Sequence, residues 1–508
     1  MSDQSGLAGS DPIAPPLRRT ASQPHADVVV VGAGPAGLAA AATASESGAS
    51  VIVIDSAEQP GGQYWRHRSE AAGDDDGALH HGWQEYLALR ARFDAGMGAG
   101  AIRYIPATSV WMVQRTPPAS PDATPCFTLR LAPSYGPGAG AATTVRARTL
   151  VLATGGYDRQ IPLPGWHLPG VMAAGGIQAF IKQNGALPGS RFVIAGTGPF
   201  LLPVASNIAH SGGRVTSVLE SSSLVGWLPR AHRAFGVPAK GAEGAEYIAT
   251  FLRRRIPYRR RTVITEILGD SHVEAVRTAR IGRSGEVEPK RSRIIEDVDA
   301  VGQGWGFTPQ LELPVQLGAQ TRLDADGSLV AVVDQNQRSS VPGLFLAGEL
   351  TGVGGAVLAV LEGTVAGRAA AADATGEIGS ATTAELRAMR RQRSFAEAMH
   401  LAHPVPEGWE QRLHTDTIVC RCEEVRYGAL SHAREVLSGE DSRTQKGVTR
   451  AGMGWCQGRV CGYAVTCIAG APAPTRAGAR DSAASLAQTN HRPIAQPIPL
   501  SALLDVEE

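Results

Sequence analysis

The clearest pattern of apolar and polar positions lies near the start of the chain, in DVVVVGAGPAGLAAAATASESGASVIVID. A wholly apolar run, residues 28–31, is followed by a glycine turn, an alanine-rich segment and a second apolar run that ends at Asp55. A strand without alternating polar positions is typical of a parallel sheet that is covered on both faces. The pattern therefore predicts a strand–helix–strand unit here.

Three glycines in this turn, Gly32, Gly34 and Gly37, have the G-x-G-x-x-G spacing of dinucleotide-binding folds. The first permits a tight turn, the second lets a pyrophosphate approach the backbone, and the third lets the helix pack closely against the strand. Asp55 follows Gly37 by 18 residues and is placed to accept hydrogen bonds from a ribose. The complete unit predicts a bound dinucleotide; a doubly wound fold whose site has decayed is the alternative.

A second segment, RFVIAGTGPFLLPVASNIAHSGGRVTSVLE, repeats the same plan. Gly196 and Gly198 keep the first two glycine positions, Leu201 replaces the third glycine, and Glu220 ends the following strand. A leucine at the third position crowds the helix against the strand and shifts any bound phosphate. This unit is either an NAD or ATP site, or a retained fold without a role in hydride transfer.

Helical periodicity returns in TAELRAMRRQRSFAEAMHLA, where Thr382 and Glu385 have the spacing of a capping box. The following stretch, HPVPEGWEQRLHTD, breaks the helix and predicts a linker. Further on, EVRYGALSHAREVL predicts a helix, and another is expected to start at Cys461 or Gly462.

Charge and composition narrow the function classes. The 508 residues include 48 Lys and Arg against 47 Asp and Glu, so no overall field favours nucleic acid or an anionic membrane. The most apolar N-terminal run contains the nucleotide-loop glycines, which argues against a signal peptide or a transmembrane segment. We expect a multidomain cytoplasmic enzyme that does not bind nucleic acid.

Five of the six cysteines fall between Cys420 and Cys467, which indicates a local site in a reducing compartment. Four of them form C-x-C and C-x4-C pairs, a spacing that favours a [2Fe–2S] cluster over zinc or free thiols. The expected metal ligands are Cys420, Cys422, Cys456 and Cys461. Cys467 has no assigned role, and Cys126 is expected to be a buried strand residue. Nearby bases that would raise the cluster's potential, unless they are ordinary solvated charges, are Arg421, Lys446, Arg450 and Arg459.

Two further segments carry a family resemblance. RTLVLATGGYDRQIPLPG and VPGLFLAGELTGVGGAVLAVLEGTVAG resemble the strands and turns that close over FAD in flavoproteins with two dinucleotide-binding domains. The resemblance implies FAD, and Glu349 stands where that family more often has Asp. Neither position used for a dithiol in disulfide-reducing members holds a cysteine here, so flavin electrons must leave by another route. The cofactor-binding residues expected from the glycine loop and the resemblance are Gly32, Gly34, Pro35, Ala36, Gly37, Asp55, Gly62, Gln63, Ala153, Thr154, Gly155, Gly348, Glu349 and Gly355.

The motifs CRCE and TRAGMGWCQGRVCG are similar to those of a narrower group: the FAD-containing subunits of hydrogen cyanide synthase, opine oxidases and D-hydroxyproline dehydrogenase. The C-terminal segment also resembles bacterioferritin-associated-ferredoxin-like domains, although these have C-x-x-C in place of C-x4-C. The resemblance implies an electron-transfer subunit that receives electrons from a catalytic FAD subunit of amino-acid-oxidase type, with an interfacial FMN and a small ferredoxin-like subunit as further components. The implied substrate is an opine, an imino acid or a related amine, at or near the inner membrane.

The fold class expected is α/β, with doubly wound parallel sheets in two dinucleotide-binding domains and a small [2Fe–2S] domain. No constellation of His, Ser or paired carboxylates identifies a catalytic residue. The alternatives to an electron-transfer subunit are a self-contained NAD(P)H-dependent flavoprotein with a fused ferredoxin-like domain and an iron- or redox-sensing protein. The expected divisions are a disordered leader (1–24), an FAD-binding domain (25–165 and 297–375), a second nucleotide-binding domain (166–296), a helix and linker (376–414), a cluster domain (415–475) and a tail (476–508).

Overall fold

The computed structural model describes residues 24–70, 77–116, 126–134, 143–234, 237–282, 285–377, 379–470, 479–500 and 503. The expected leader lies outside the described residues, apart from its last position. The described chain contains two α/β units, a three-stranded sheet and a C-terminal group of short helices.

The first α/β unit has apolar strands because both faces of its sheet are covered. Val28 and Val30 point into one hydrophobic core, and Val29 and Val31 into another on the opposite face, as the pattern predicts. In chain order the elements are β1 (His25–Val31), α1 (Pro35–Glu46), β2 (Val51–Ile54), α2 (Trp83–Gly98), β3 (Ile102–Ile105), β4 (Thr108–Thr116), β5 (Cys126–Pro133) and β6 (Thr144–Leu152).

The sheet of this unit is mixed, which corrects the expected doubly wound parallel sheet. Its strand order is β3-β2-β1-β6-β5-β4. Strands β1, β2, β3 and β6 pair in parallel, but β4 and β5 pair antiparallel with each other, as β5 does with β6. The alternation of buried and half-buried positions in β5 fits a strand with one dry face.

The second unit follows through a two-stranded ribbon. Its elements are β7 (Gly156–Asp158), β8 (Val171–Ala173), α3 (Ala174–Asn184), β9 (Arg191–Gly196), α4 (Leu201–His210), β10 (Arg214–Glu220), α5 (Ala231–Ala234), α6 (Pro238–Arg254), β11 (Tyr258–Arg260), β12 (Thr262–Leu268), β13 (Ala275–Ile281), β14 (Val287–Ile295), β15 (Ala300–Gly304) and β16 (Phe307–Pro309).

Five of these strands form a wholly parallel sheet in the order β11-β10-β9-β15-β8. Strands β12 to β14 form a separate antiparallel sheet, and β7 pairs with β16. Because β15 lies in the second sheet, the chain returns to the first unit after Gly304, beyond the division expected at residue 297.

The returning chain completes the first unit. Its elements are α7 (Glu312–Gln316), β17 (Thr321–Leu323), β18 (Leu329–Ala331), β19 (Leu344–Leu346) and α8 (Ala356–Thr375). Strand β19 pairs in parallel with β6. Helix α8 lies against α1 at backbone distance, since a Cβ on Gly363 would meet Ala36 O at 2.0 Å.

The C-terminal part begins with α9 (Thr383–Ala402), whose predicted capping box is confirmed: Thr382 and Glu385 bond to each other's backbone N–H. The remaining elements are β20 (Ile418–Cys420), β21 (Val425–Arg426), α10 (Tyr427–Val436), α11 (Ser442–Thr449), α12 (Gly462–Ile468) and α13 (Ala479–Asn490). The predicted helix start at Gly462 is confirmed. None of the described helices combines the length and apolar character needed to cross a lipid bilayer.

Candidate functional site

The first glycine loop is shaped by backbone contacts that exclude side chains. Gly32 has φ +102°, and a Cβ there would meet Ala153 O at 2.4 Å. A Cβ on Gly37 would lie 1.8 Å from Gly32 O. Both positions therefore require glycine: the first for its left-handed backbone and the second for close packing of helix and strand.

The structure brings the other expected cofactor residues to this loop. Gly61 N–H donates to Ala33 O at 2.9 Å, which seats the Gly62–Gln63 segment so close that a Cβ on Gly62 would be 2.7 Å from Gly34 Cα. A Cβ on Gly348 would lie 3.1 Å from the Ala36 Cβ. The peptide at Ala153 bonds to the end of β1, and Thr154 follows it. Segments hundreds of residues apart thus meet at one cradle.

Open space borders the cradle at two glycines with positive φ. A Cβ on Gly155 or on Gly355 would meet no atom within 4 Å. Gly355 directly precedes α8, whose first N–H groups have no partners within the helix. The geometry accommodates a pyrophosphate at this end of the unit.

Asp55 is committed to the glycine loop itself. It accepts hydrogen bonds from the N–H groups of Ala33, by a short contact, and of Ala57 at 2.6 Å. Burial raises the pKa of Asp55 in spite of these bonds. The carboxylate therefore fixes the loop, and it retains further lone pairs for a ribose hydroxyl.

A second buried carboxylate group lies behind the cradle. Glu362 accepts from Gly348 N–H at 3.0 Å and Thr351 Oγ1 at 2.9 Å, and it pairs with Arg393 of α9 by a short contact. Glu349 Oε2 is shielded from solvent and has no partner among the described residues. Burial raises the pKa of Glu349 to about 7, although a hydrogen bond from the Gly355 N–H and the positive charge of Arg393 both act to lower it. An orphaned buried oxygen beside open glycines fits a bound hydroxyl donor such as the FAD ribityl chain.

The second glycine loop is covered by the chain's own residues. Glu220 accepts from the N–H groups of Gly198 at 3.0 Å and Ser222 at 2.9 Å, much as Asp55 does in the first unit. His403, just after α9, lies on this loop: its Nδ1 is 2.7 Å from Ser222 Oγ, and its Nε2 accepts from Trp227 Nε1 at 2.9 Å. Although burial opposes it, hydrogen bonding by His403 holds the pKa of Glu220 below its ordinary value.

Leu201, at the third glycine position, changes where the helix of this unit begins. Leu201 is fully buried, and α4 begins only at this residue, whereas α1 begins directly after Gly34. The helix N-terminus is therefore set back from the second loop, and Pro404 O instead accepts a hydrogen bond from Thr197 Oγ1 at 3.3 Å. Sequence reasoning missed this cover because His403 and Pro404 belong to the predicted linker.

The four paired cysteines lie together as two facing pairs. Cys461 lies beside Cys420, and Cys456 lies beside Cys422. The hydrogen bond from Cys461 lowers the pKa of Cys420 to about 6, and Gly452 N–H adds a contact to its sulfur at 3.5 Å. Cys420 and Cys461 are buried, while Cys422 is exposed. Within the part of the chain that the structure describes, no three or more His, Cys, Asp or Glu side chains stand as a ready ligand set for a metal ion.

The bases near these thiols differ in their surroundings. Arg459 pairs with Glu312 at 3.0 Å and donates to Tyr157 OH at 2.7 Å. Arg450, largely exposed, pairs with Glu423. Cys467 has Tyr463 and Arg159 as neighbours, and burial raises its pKa to about 11. Cys126, expected to be buried, is only half-buried in β5.

Comparison with known proteins agrees with this architecture. The family model described as pyridine nucleotide-disulphide oxidoreductase matches residues 26–385. The chain belongs to that family. It is accordingly an FAD-dependent oxidoreductase of the pyridine nucleotide-disulphide oxidoreductase family.

Relatives within the family match nearly end to end. An opine oxidase subunit from Rhizobium meliloti (strain 1021) is 33% identical over 87% of this chain and 92% of the relative. Hydrogen cyanide synthase subunit HcnB of Pseudomonas aeruginosa is 31% identical over 86% of this chain and 91% of the relative. The chain therefore falls in the group of these oxidase and synthase subunits.

A solved structure shares the fold. The L-proline dehydrogenase of P. horikoshii superposes with a TM-score of 0.62 at 17% identity, over 95% of this chain and 80% of that chain. At that identity the similarity supports the fold alone.

Proposed function

We propose that the chain is the FAD- and [2Fe–2S]-containing electron-transfer subunit of a hetero-oligomeric dehydrogenase that oxidises an opine, an imino acid or a related amine. It would pass electrons from the flavin of a partner subunit to an acceptor. The observation that carries this proposal is the arrangement of four thiols in two pairs, Cys420 with Cys461 and Cys422 with Cys456. The segment that holds them packs against the first α/β unit, which we propose as the FAD unit. A [2Fe–2S] core takes two thiolates on each of its two irons, which two pairs supply.

The residues supply the donor atoms that both groups need: a glycine-lined cradle with buried carboxylates for FAD, and four neighbouring thiols for the cluster. For FAD we propose the cradle formed by residues 32–37, 62–63, 153–155, 348–349 and 355, with Asp55 at the adenosine ribose and Glu349 at the ribityl chain. For the cluster we propose Cys420, Cys422, Cys456 and Cys461. FAD supplies exchange of electrons in pairs or singly, and a cluster exchanges one at a time.

Close packing between the cysteine segment and the flavin unit supports transfer between them. Trp166 Nε1, which belongs to the second unit, donates to Ile418 O at 2.5 Å, two residues before Cys420, so the cysteine segment is fixed against that unit as well. Arg459, between the other two cysteines, is anchored on Glu312 and Tyr157. We propose residues 376–414 as a helix and linker, 415–475 as a ferredoxin-like cluster domain and 476–508 as its tail.

The partner and substrate are proposed from the relatives, which are named as subunits of opine oxidase and hydrogen cyanide synthase. The partner would be an amino-acid-oxidase-type FAD subunit, with an interfacial FMN and a small ferredoxin-like subunit as further components. The assembly would be cytoplasmic or peripheral to the inner membrane.

The test is purification of the chain from its native source, with identification of accompanying chains. Iron, sulfide and FAD are expected in it, together with a second flavin subunit. Anaerobic addition of the amine should bleach the flavin of the complex but not that of the isolated chain. A lone chain with zinc on its thiols would overturn the proposal.

The alternative, a self-contained NAD(P)H oxidoreductase, draws support from the intact five-stranded second sheet and its glycine loop. Against it stand His403 and Pro404, which occupy that loop. NADH or NADPH mixed anaerobically with the isolated chain is therefore expected to leave the flavin oxidised. Rapid bleaching would favour the alternative.

A further inference from the structure

A small cavity lies between the FAD unit and the loop that joins Cys456 to Cys461, called the cysteine loop below. Its volume is about 40 Å³, which is room for a few water molecules at most. Four charged side chains line it: Arg159, Glu312, Arg459 and Arg492. Arg492 comes from the C-terminal tail, just after α13, and is 8% exposed.

The charges around this cavity do not balance. Arg159 has its own carboxylate, Asp326, at 2.7 Å. Arg459 and Arg492 are left with the single carboxylate of Glu312, and Arg459 makes the direct contact at 3.0 Å. Arg492 donates only to Thr489 O, and its Nη1 has no partner in the described part of the chain.

A buried guanidinium without a partner is strongly unfavourable, because it loses its hydration without gaining an opposite charge. The loop that joins Cys456 to Cys461 lies beside Arg492: a Cβ on Gly458 would lie 3.6 Å from Arg492 Nη2. A [2Fe–2S] core held by four thiolates carries net negative charge. The site therefore has an unmatched positive charge beside the place proposed for a negative group.

We propose that Arg492 is the counter-charge of the cluster and that the cluster in turn holds the C-terminal tail in place. This inference rests on the proposed function. Arg450 cannot take this role, because it is exposed and neutralised by Glu423, and Arg459 is neutralised by Glu312.

The packing of the tail supports the second half of this inference. Thr489 lies over the cysteine loop, where a Cβ on Gly462 would be 2.8 Å from its Cγ2. Ser442 of α11 reaches Thr489 Oγ1 at 3.0 Å. The tail thus closes the cavity through short polar contacts around one charge, so loss of the negative group should loosen it.

The test is the midpoint potential of the cluster, measured by EPR-monitored redox titration of the purified chain. Arg492→Gln is expected to lower the potential, and Arg492→Lys to keep it near that of the wild type. The matched control, Arg450→Gln, should leave the potential unchanged. If Arg492→Gln retains its cluster at the wild-type potential, the inference is overturned and a water-filled cavity explains the site.

A second measurement covers the case in which Arg492→Gln fails to hold iron. Hydrogen exchange of residues 484–495 is compared between the wild-type chain with its iron and after chelation of the iron. Faster exchange after chelation is expected, and equal exchange would overturn the inference. A wild-type chain without iron or sulfide as purified would overturn the proposed function and this inference together.

Discussion

His403 Nδ1 lies 3.7 Å from Glu220 Oε2, in the position where an acid at the end of the second strand would meet a ribose in a dinucleotide fold. The imidazole also accepts from Trp227 and contacts Ser222. The glycine loop of the second unit is therefore covered by a side chain of the protein itself, His403, which belongs to the segment between the two proposed redox domains.

Replacing His403 should destabilise the protein. His403→Ala leaves Trp227 Nε1 and Ser222 Oγ without their partner, so we expect a loss of about 1–3 kcal/mol in the free energy of unfolding. Urea denaturation followed by tryptophan fluorescence measures it. His432→Ala, an exposed position in α10, is the control and should change stability by less than about 0.5 kcal/mol. Equal stability of the two variants would show that the cover contributes nothing.

Two glycines within helices should respond oppositely to alanine. A Cβ on Gly363 of α8 would lie 2.0 Å from Ala36 O of α1, so Gly363→Ala is expected to cost about 1–3 kcal/mol by overpacking and to lower the FAD content. A Cβ on Gly241 of α6 would meet no atom within 4 Å, and Gly241→Ala should stabilise by about 0.5–1 kcal/mol. Thermal unfolding and the flavin-to-protein absorbance ratio test both. Normal FAD binding by Gly363→Ala would contradict the close contact of α1 and α8.

The four thiols and Cys467 give a direct test of the ligand set. Serine at any of Cys420, Cys422, Cys456 or Cys461 should abolish the iron–sulfur absorption, since each removes one of four thiolates. Cys467→Ser should keep it, because the neighbours of Cys467 are Tyr463 and Arg159 and not the four paired thiols. Iron and sulfide analysis measures the outcome. Retention of full iron by Cys461→Ser would exclude the proposed cage.

Much of this architecture follows from local sequence. The glycine turn after β1, the capping box of Thr382 and the start of α12 are short-range signals, because each depends on residues within a few positions of one another. Leu201 likewise signals a distorted second loop, since its size is visible in the sequence. These elements could be predicted without knowledge of the tertiary structure.

Long-range relationships could not be predicted from the local sequence. His403 on Glu220 and Arg393 on Glu362 join side chains separated by more than 30 positions, and no periodicity marks them. The antiparallel pair β4–β5 also escaped, because a parallel sheet was inferred from β1 alone. Arg492 carries no motif; only its burial beside an unbalanced set of charges makes it noticeable.

The stability of the FAD-free protein should depend on the ionisation of Glu349. Burial raises the folded-state pKa of Glu349 to about 7, above the ordinary 4.5, so the folded apoprotein favours the protonated acid. Its contribution to stability is then fully present below about pH 4.5 and is lost as the pH rises through about 7. The loss amounts to about 3 kcal/mol at most.

Urea denaturation of FAD-free protein between pH 5 and 8 should show a steeper fall in the free energy of unfolding for the wild type than for Glu349→Gln, which has no proton to lose. Asp55, whose pKa is also raised, acts equally in both proteins, whereas the charge of Glu362 acts directly on Glu349, so the difference between the two curves reports Glu349 together with its effect on Glu362. Parallel curves would mean that this carboxyl group is ionised in the folded apoprotein throughout the range.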